Sequence, residues 1–266
     1  MSQPPRPSHL ARPKPGPDDP ELQQLLIEGL AQIQVEELSV IAGELASRRL
    51  ELLESASRLR EGQELSSAAC WRLFRAVTCS RRHAQALSST LDGEHWTPAA
   101  AELLALNAPV GQRIVRFVLR FPRLERRLAL ELATGLLHLW APAQYWLWTR
   151  WLWDVRYQTG ILPVLASSDR ALRGGDLDTQ YRQLRALIAL GAEVGQQSGL
   201  LDPTLLDDPM LHPFAIDAFL AAAYSIYLYG ITTWWLSREF NRLLPPLPQL
   251  TRRLLGLAPV ASQRTG

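Results

Sequence analysis

From Ala218 to Ser237 the chain carries no charge. The run sits inside Pro213–Asn241, PFAIDAFLAAAYSIYLYGITTWWLSREFN, and it meets the length of about 20 residues that a helix needs to cross a bilayer. A stretch like this has two physical homes, the centre of a helical bundle or a membrane. The rest of the chain is read as what surrounds, covers or anchors it.

Three features fit the membrane. The run is long enough, Trp234 and Trp235 stand at its end, and Arg238 and Arg242 follow. Leu132–Thr149 is a second uncharged stretch of marginal length. Pairing the two as a hairpin places Asp154–Asp217 outside, and that segment carries five arginines against nine acids. Three features favour a core. Pro142 splits the shorter stretch, near His138. Tyrosines, threonines, serine and glycine dilute the longer one, and their hydroxyls need partners that a protein interior supplies more readily than lipid. The segment between is rich in core-like helical sequence. The expectation is a central core helix in a cytoplasmic protein, with membrane association as the alternative.

The chain has 266 residues, enough to bury a sizeable core. Lys14 is the only lysine, so nearly every fixed cation is an arginine. Cys70 and Cys79 are nine apart and match no zinc spacing. They read as reduced, mostly buried thiols in a reducing compartment. The opening MSQPPRPSHLARPKPGPDDP lacks the apolar region of a secretory signal. Its proline-rich, polar composition predicts disorder over 1–19, either a solvated tail or a ligand for a small adaptor domain.

Asp18-Asp19-Pro20 marks a helix start, and the pattern runs helically from Glu21 to about Arg60. Leu38, Leu45, Leu52 and Leu59 recur every seven residues, but Arg48 and Ser55 interrupt the intermediate seam. That predicts one arm of an antiparallel hairpin, with a turn at Glu61-Gly62-Gln63 and a return arm over Ser66–Leu91. Asp92-Gly93 stops it. Thr97–Leu106 and Val110–Phe121 follow as helices, then Leu124–Trp140. Ala143–Trp153 reads as a helix that is apolar all round, and Ile161–Leu165 as a short extended piece. Ser167–Asp178 reads as a loop with Gly174-Gly175 at its tip. Thr179–Ser198 reads as a helix capped by Asp176 or Asp178. Its Gly191, Gly195 and Gly199 share a face suited to close backbone approach, and the surface they meet is expected to be the uncharged helix. Pro245-Pro246-Leu247-Pro248 ends that helix, and Gln249–Leu257 adds a basic amphipathic turn.

The fold expected is all-α: a helical hairpin over 20–92, then a larger helical bundle over 97–257 around one long apolar helix, with a loose tail at 258–266.

Candidate functional residues fall into three groups. Arg113, Arg116, Arg120, Arg123 and Arg127 follow a 3/4 spacing with no acid on their stripe, and Glu125 lies beside it. An arginine ridge of this kind attracts a protein partner with acids, an anionic membrane surface or, as the weaker expectation, nucleic acid. Trp146, Trp148, Trp151, Tyr224 and Tyr227 are candidates to line an apolar pocket. Glu131, His138 and Asp217 are a candidate acid–base or metal trio if the bundle brings them together. No HExxH, CxxC, phosphate loop or nucleophile elbow is present, and the five histidines have no metal-ligand spacing. No cofactor is called for. The function expected is that of a non-catalytic interaction or structural subunit using the arginine surface. The alternatives are a membrane-associated protein and an enzyme or cofactor binder with an aromatic pocket.

Overall fold

The computed structural model describes residues 20–78, 81–91, 96–166, 175–235 and 245–257. Both tails, Cys79, Asp92-Gly93, Gly174, Arg238 and Arg242 lie outside the described residues. The fold is all-α. Among the described residues twelve helices follow in order: α1 (Pro20–Leu30), α2 (Val35–Arg60), α3 (Ser67–Thr78), α4 (Arg81–Leu91), α5 (Trp96–Leu104), α6 (Val110–Arg120), α7 (Arg126–Trp140), α8 (Ile161–Ala166), α9 (Leu177–Gln197), α10 (Pro203–Asp207), α11 (His212–Trp235) and α12 (Leu247–Leu254). Among the described residues the only strand-like feature is one antiparallel bridge between Asp154 and Thr159.

α11 packs against α1, α2, α8, α9, α10 and α12. Phe214–Ala223 is buried on every side, Asp217 included. Two of its hydroxyls find protein partners. Ser225 donates to the Ala221 carbonyl at 2.8 Å, and Tyr229 donates to the Pro245 carbonyl. Among the described residues no helix is long and apolar enough to cross a membrane.

The close approach of α9 to α11 rests on small residues. A Cβ on Gly191 would stand 2.9 Å from Leu220, and one on Gly195 would stand 3.2 Å from Phe219 and 2.7 Å from Leu201. Gly199 is different: it lies past the helix end with a φ of +72° and open space around it. The N-cap of α9 is Asp176, whose carboxylate accepts from the Thr179 N–H at 2.8 Å. That bond holds the Asp176 carboxyl below the usual carboxylate range.

Several local readings need correction. The helix expected over 21–60 is two helices, broken at Ala31–Gln34. The break turns α1 onto α11, where Gly29 meets the Ile226 side chain. The return arm is also two helices, α3 and α4, and α3 packs on α4 and α7. α2 packs more widely on α11 and α7 than on α3, so the segment 20–92 joins the same hydrophobic cluster as the rest. Ile161–Leu165 is helical, not extended. Its first N–H groups donate to the carbonyls of Trp151 and Leu152 at 2.9 and 3.1 Å.

The largest correction concerns Ala143–Trp153, which is not a helix. It is a largely buried irregular segment whose backbone is partnered partly by turns and partly by side chains. Tyr181 accepts from the Trp146 N–H and donates to the Trp146 carbonyl, both at 3.0 Å. The Thr134 hydroxyl accepts from the Trp148 N–H at 2.9 Å. His138 Nδ1 donates to the Tyr145 carbonyl at 2.7 Å. Side chains thereby replace the helical ladder that a buried backbone otherwise requires. Gly160 closes the segment with a φ of +119°, and a Cβ there would stand 2.5 Å from the Leu152 carbonyl oxygen.

Arg48, the residue that interrupts the leucine seam, has a structural use. It donates to the carbonyls of Leu255 and Gly256 at 2.9 and 3.1 Å, just past α12. Its neighbour Arg49 donates to the carbonyls of Leu139 and Trp140, both at 3.0 Å, at the end of α7. A guanidinium at a helix C-terminus satisfies carbonyls that have no partner within the helix and sits favourably in the helix dipole.

Candidate functional site

Two regions gather polar chemistry: the arginine-bearing side around α6 and α7, and the interior where α7 meets α11.

The five arginines of the spaced stripe do not form one ridge. Arg113 is only 3% exposed. It donates to the carbonyls of Ala108 (3.0 Å) and Leu103, and to the Tyr145 hydroxyl (3.0 Å). It therefore ties the end of α5 to α6 and to the aromatic segment. Arg116 is exposed and pairs with Glu102 at 3.2 Å. Arg127 is half-buried and lies 3.4 Å from Glu131. Arg120 and Arg123 are exposed, and among the described residues neither has an ion pair. Leu119, between them and Arg116, is 74% exposed, and Leu106 at the end of the preceding turn is exposed as well.

The five aromatic residues also divide. Trp151, Tyr224 and Tyr227 form a chain of rings, with centroids 6.2 and 5.8 Å apart. Burial pushes both tyrosine hydroxyls up from their ordinary pKa. Trp146 stacks on His138 at 6.0 Å. Trp148 stacks on Trp153 at 5.4 Å with nearly parallel planes. Trp151 lines a small interior cavity and Trp148 a separate, much larger one.

The trio of Glu131, His138 and Asp217 is brought together only in part. His138 Nε2 and Asp217 Oδ2 are 2.7 Å apart, and both residues are buried. Glu131 stands two turns before His138, about 10 Å along the helix. Its partners are Arg127 and His83, the latter at 3.6 Å. Among the described residues no three His, Cys, Asp or Glu side chains come together to hold a metal.

The His138–Asp217 pair is closed. The Tyr145 carbonyl can only accept, so Nδ1 carries a proton. Nε2 faces the carboxylate. Burial by itself depresses the imidazole pKa, and the charge on Arg49 adds to that. The Asp217 carboxylate, its hydrogen bond and the Tyr145 carbonyl outweigh both and leave His138 raised. Phe214 and Trp146 sheathe the ring. The adjoining cavity of about 60 Å³ is lined by His138, Asp217, Arg48, Arg49 and apolar side chains.

The larger cavity, about 660 Å³, was not legible as a site from the sequence. It lies between the first turn of α7, the segment 148–157 and the first turn of α9. Arg126, Arg127, Arg150 and Arg156 line it, with Trp148, Trp153 and Tyr157.

No family model, no curated protein and no solved structure matches the chain.

Proposed function

We propose that this is a non-catalytic interaction protein that holds an acidic segment of a partner protein along the exposed edge of α6 and the turn at 121–125. The observation that carries this reading is Leu119, 74% exposed and flanked by Arg120 and Arg123, which have no ion pair among the described residues. An exposed leucine beside two uncompensated guanidinium groups suits a segment that alternates acids with apolar residues. The non-catalytic part is supported by the interior pair: Tyr145 and Asp217 occupy both nitrogens of His138, leaving neither for a substrate.

The test is a photo-crosslinking residue at Leu119 in the full chain, followed by mass spectrometry of the crosslinked peptides. Acidic peptides of one partner, lost with Arg120→Glu/Arg123→Glu, support the reading. Crosslinks unaffected by charge reversal refute it. Retention on anionic vesicles or nucleic acid, with no crosslinked protein, assigns the edge to those anions instead.

A further inference from the structure

We propose that the cavity between the starts of α7 and α9 binds a ligand carrying a phosphate monoester. This site adjoins the α6 edge at Glu125 but uses none of its arginines, and it stands without that reading.

The first observation is charge. The cavity lining holds Arg126, Arg127, Arg150 and Arg156 against Glu125 and Asp154, an excess of two cations. Two arginines are already engaged: Arg150 by Asp154 at 2.8 Å and Arg127 by Glu131 at 3.4 Å. Arg126 has no ion pair among the described residues. Arg156 lies over the Tyr157 ring at 5.2 Å and has no carboxylate partner there.

The second is the helix start. Glu125 is the N-cap of α7, yet no side chain caps that first turn and it contains no acid. Its first two residues are Arg126 and Arg127. The positive end of a helix dipole favours anions, and cations there are unfavourable. This arrangement is costly for the empty protein and becomes favourable once an anion sits against the free N–H groups.

The third is independent of both. Thr149 Oγ1 and Trp153 Nε1 are buried with no hydrogen-bond partner, and their residues line the same cavity. Thr149 is 8% exposed and Trp153 is 1% exposed. Buried donors without acceptors are rare, because each loses its water and gains nothing in return. The wall of the cavity therefore includes two residues whose donors lack an acceptor.

The number of donors selects the ligand. Two uncompensated guanidinium forks, a hydroxyl, an indole N–H and the first-turn amides exceed what the two oxygens of a carboxylate accept. A phosphate monoester brings three terminal oxygens and nearly two negative charges. Leu130, Val155 and Leu177 give the cavity an apolar wall, so the ligand has an apolar or aromatic body. A volume of about 660 Å³ falls within the range of small-molecule sites. A free phosphomonoester and the headgroup of a phosphomonoester lipid share this chemistry.

The experiment is calorimetric titration of the full chain with adenosine monophosphate, with vesicles of phosphatidic acid in phosphatidylcholine and with benzoate, alongside tryptophan fluorescence. Saturable binding of one phosphate probe is expected, weakened about tenfold or more by Arg156→Gln and by Thr149→Val. It is unchanged by Arg120→Glu/Arg123→Glu, which separates it from the α6 edge. Binding of adenosine monophosphate assigns a free ligand; binding of the vesicles alone assigns a lipid. A second readout guards against misfolding. Phosphate raises the melting temperature of the native chain, whereas Arg126→Gln melts no lower than native without phosphate and gains nothing from it. The proposal is overturned if neither phosphate probe binds at millimolar concentration, if benzoate binds as tightly, or if the variants bind like the native chain.

Discussion

His138 Nε2 and Asp217 Oδ2 lie 2.7 Å apart although 79 residues separate them in sequence. The pair joins α7 to α11 inside the bundle, with the second ring nitrogen fixed on the Tyr145 carbonyl. Removing one partner of such a pair leaves an uncompensated buried group. Asp217→Ala is therefore expected to cost about 3–5 kcal/mol of unfolding free energy, measured by urea denaturation.

The same pair sets a pH dependence. His138 is raised in the folded protein relative to the unfolded chain. Its contribution to stability is full below the unfolded value, near pH 6.5, and is lost as pH rises through the higher folded value. Melting temperatures should fall across that window. In Asp217→Asn, which removes the charge that raises His138, this part of the slope should vanish.

Tyr181 hydrogen-bonds both backbone groups of Trp146, accepting from its N–H and donating to its carbonyl. Burial pushes its hydroxyl pKa up to about 12, so it stays protonated at any ordinary pH. Tyr181→Phe strands one part-buried N–H and one part-buried carbonyl, at a cost of up to about 1–3 kcal/mol for each group left unsatisfied. Thermal melting measures the loss, and a red-shifted tryptophan emission should accompany it.

Two glycines in long helices should respond in opposite directions. Gly195→Val drives methyl groups into Leu201 and Phe219 and should destabilise by about 1–3 kcal/mol. Gly43, in the middle of α2, has nothing within 4 Å of an added Cβ. Gly43→Ala should stabilise by about 1 kcal/mol, the ordinary difference in helix propensity. Chemical denaturation of the two variants side by side tests whether the α9–α11 contact is as close as described.

Arg113 belongs to the framework. Arg113→Met removes the donor from the Leu103 and Ala108 carbonyls and from the Tyr145 hydroxyl, and should cost about 2–4 kcal/mol in a melting experiment. Arg120→Gln should leave stability within about 0.5 kcal/mol, as exposed substitutions usually do.

The helices that were legible carry local signals. α9 has a capping aspartate, α6 follows a proline, and α2 keeps its leucine period. The glycine face opposite α11 was also readable, because Gly191 and Gly195 in a helix interior call for a packing reason. The aromatic segment was not, because an apolar run reads alike as a buried helix or as a buried loop. What decides is where its backbone finds partners, and those partners, Tyr181 and His138 among them, come from other elements. The arginine spacing marked a common helix face and said nothing about what would cover it; α5 and Tyr145 cover Arg113. The large cavity was hidden for the same reason. Arg126, Thr149, Arg156 and Gln180 become neighbours only when three separate segments meet.

The irregular segment 141–160 also bears on how the chain emerges during synthesis. Tyr181 follows Trp146 by 35 positions, and Asp217 follows His138 by 79. The four tryptophans of the segment leave the ribosome before Tyr181, which holds the Trp146 backbone, has been made. For that interval the most aromatic part of the protein lacks the tyrosine that holds its backbone in the finished fold.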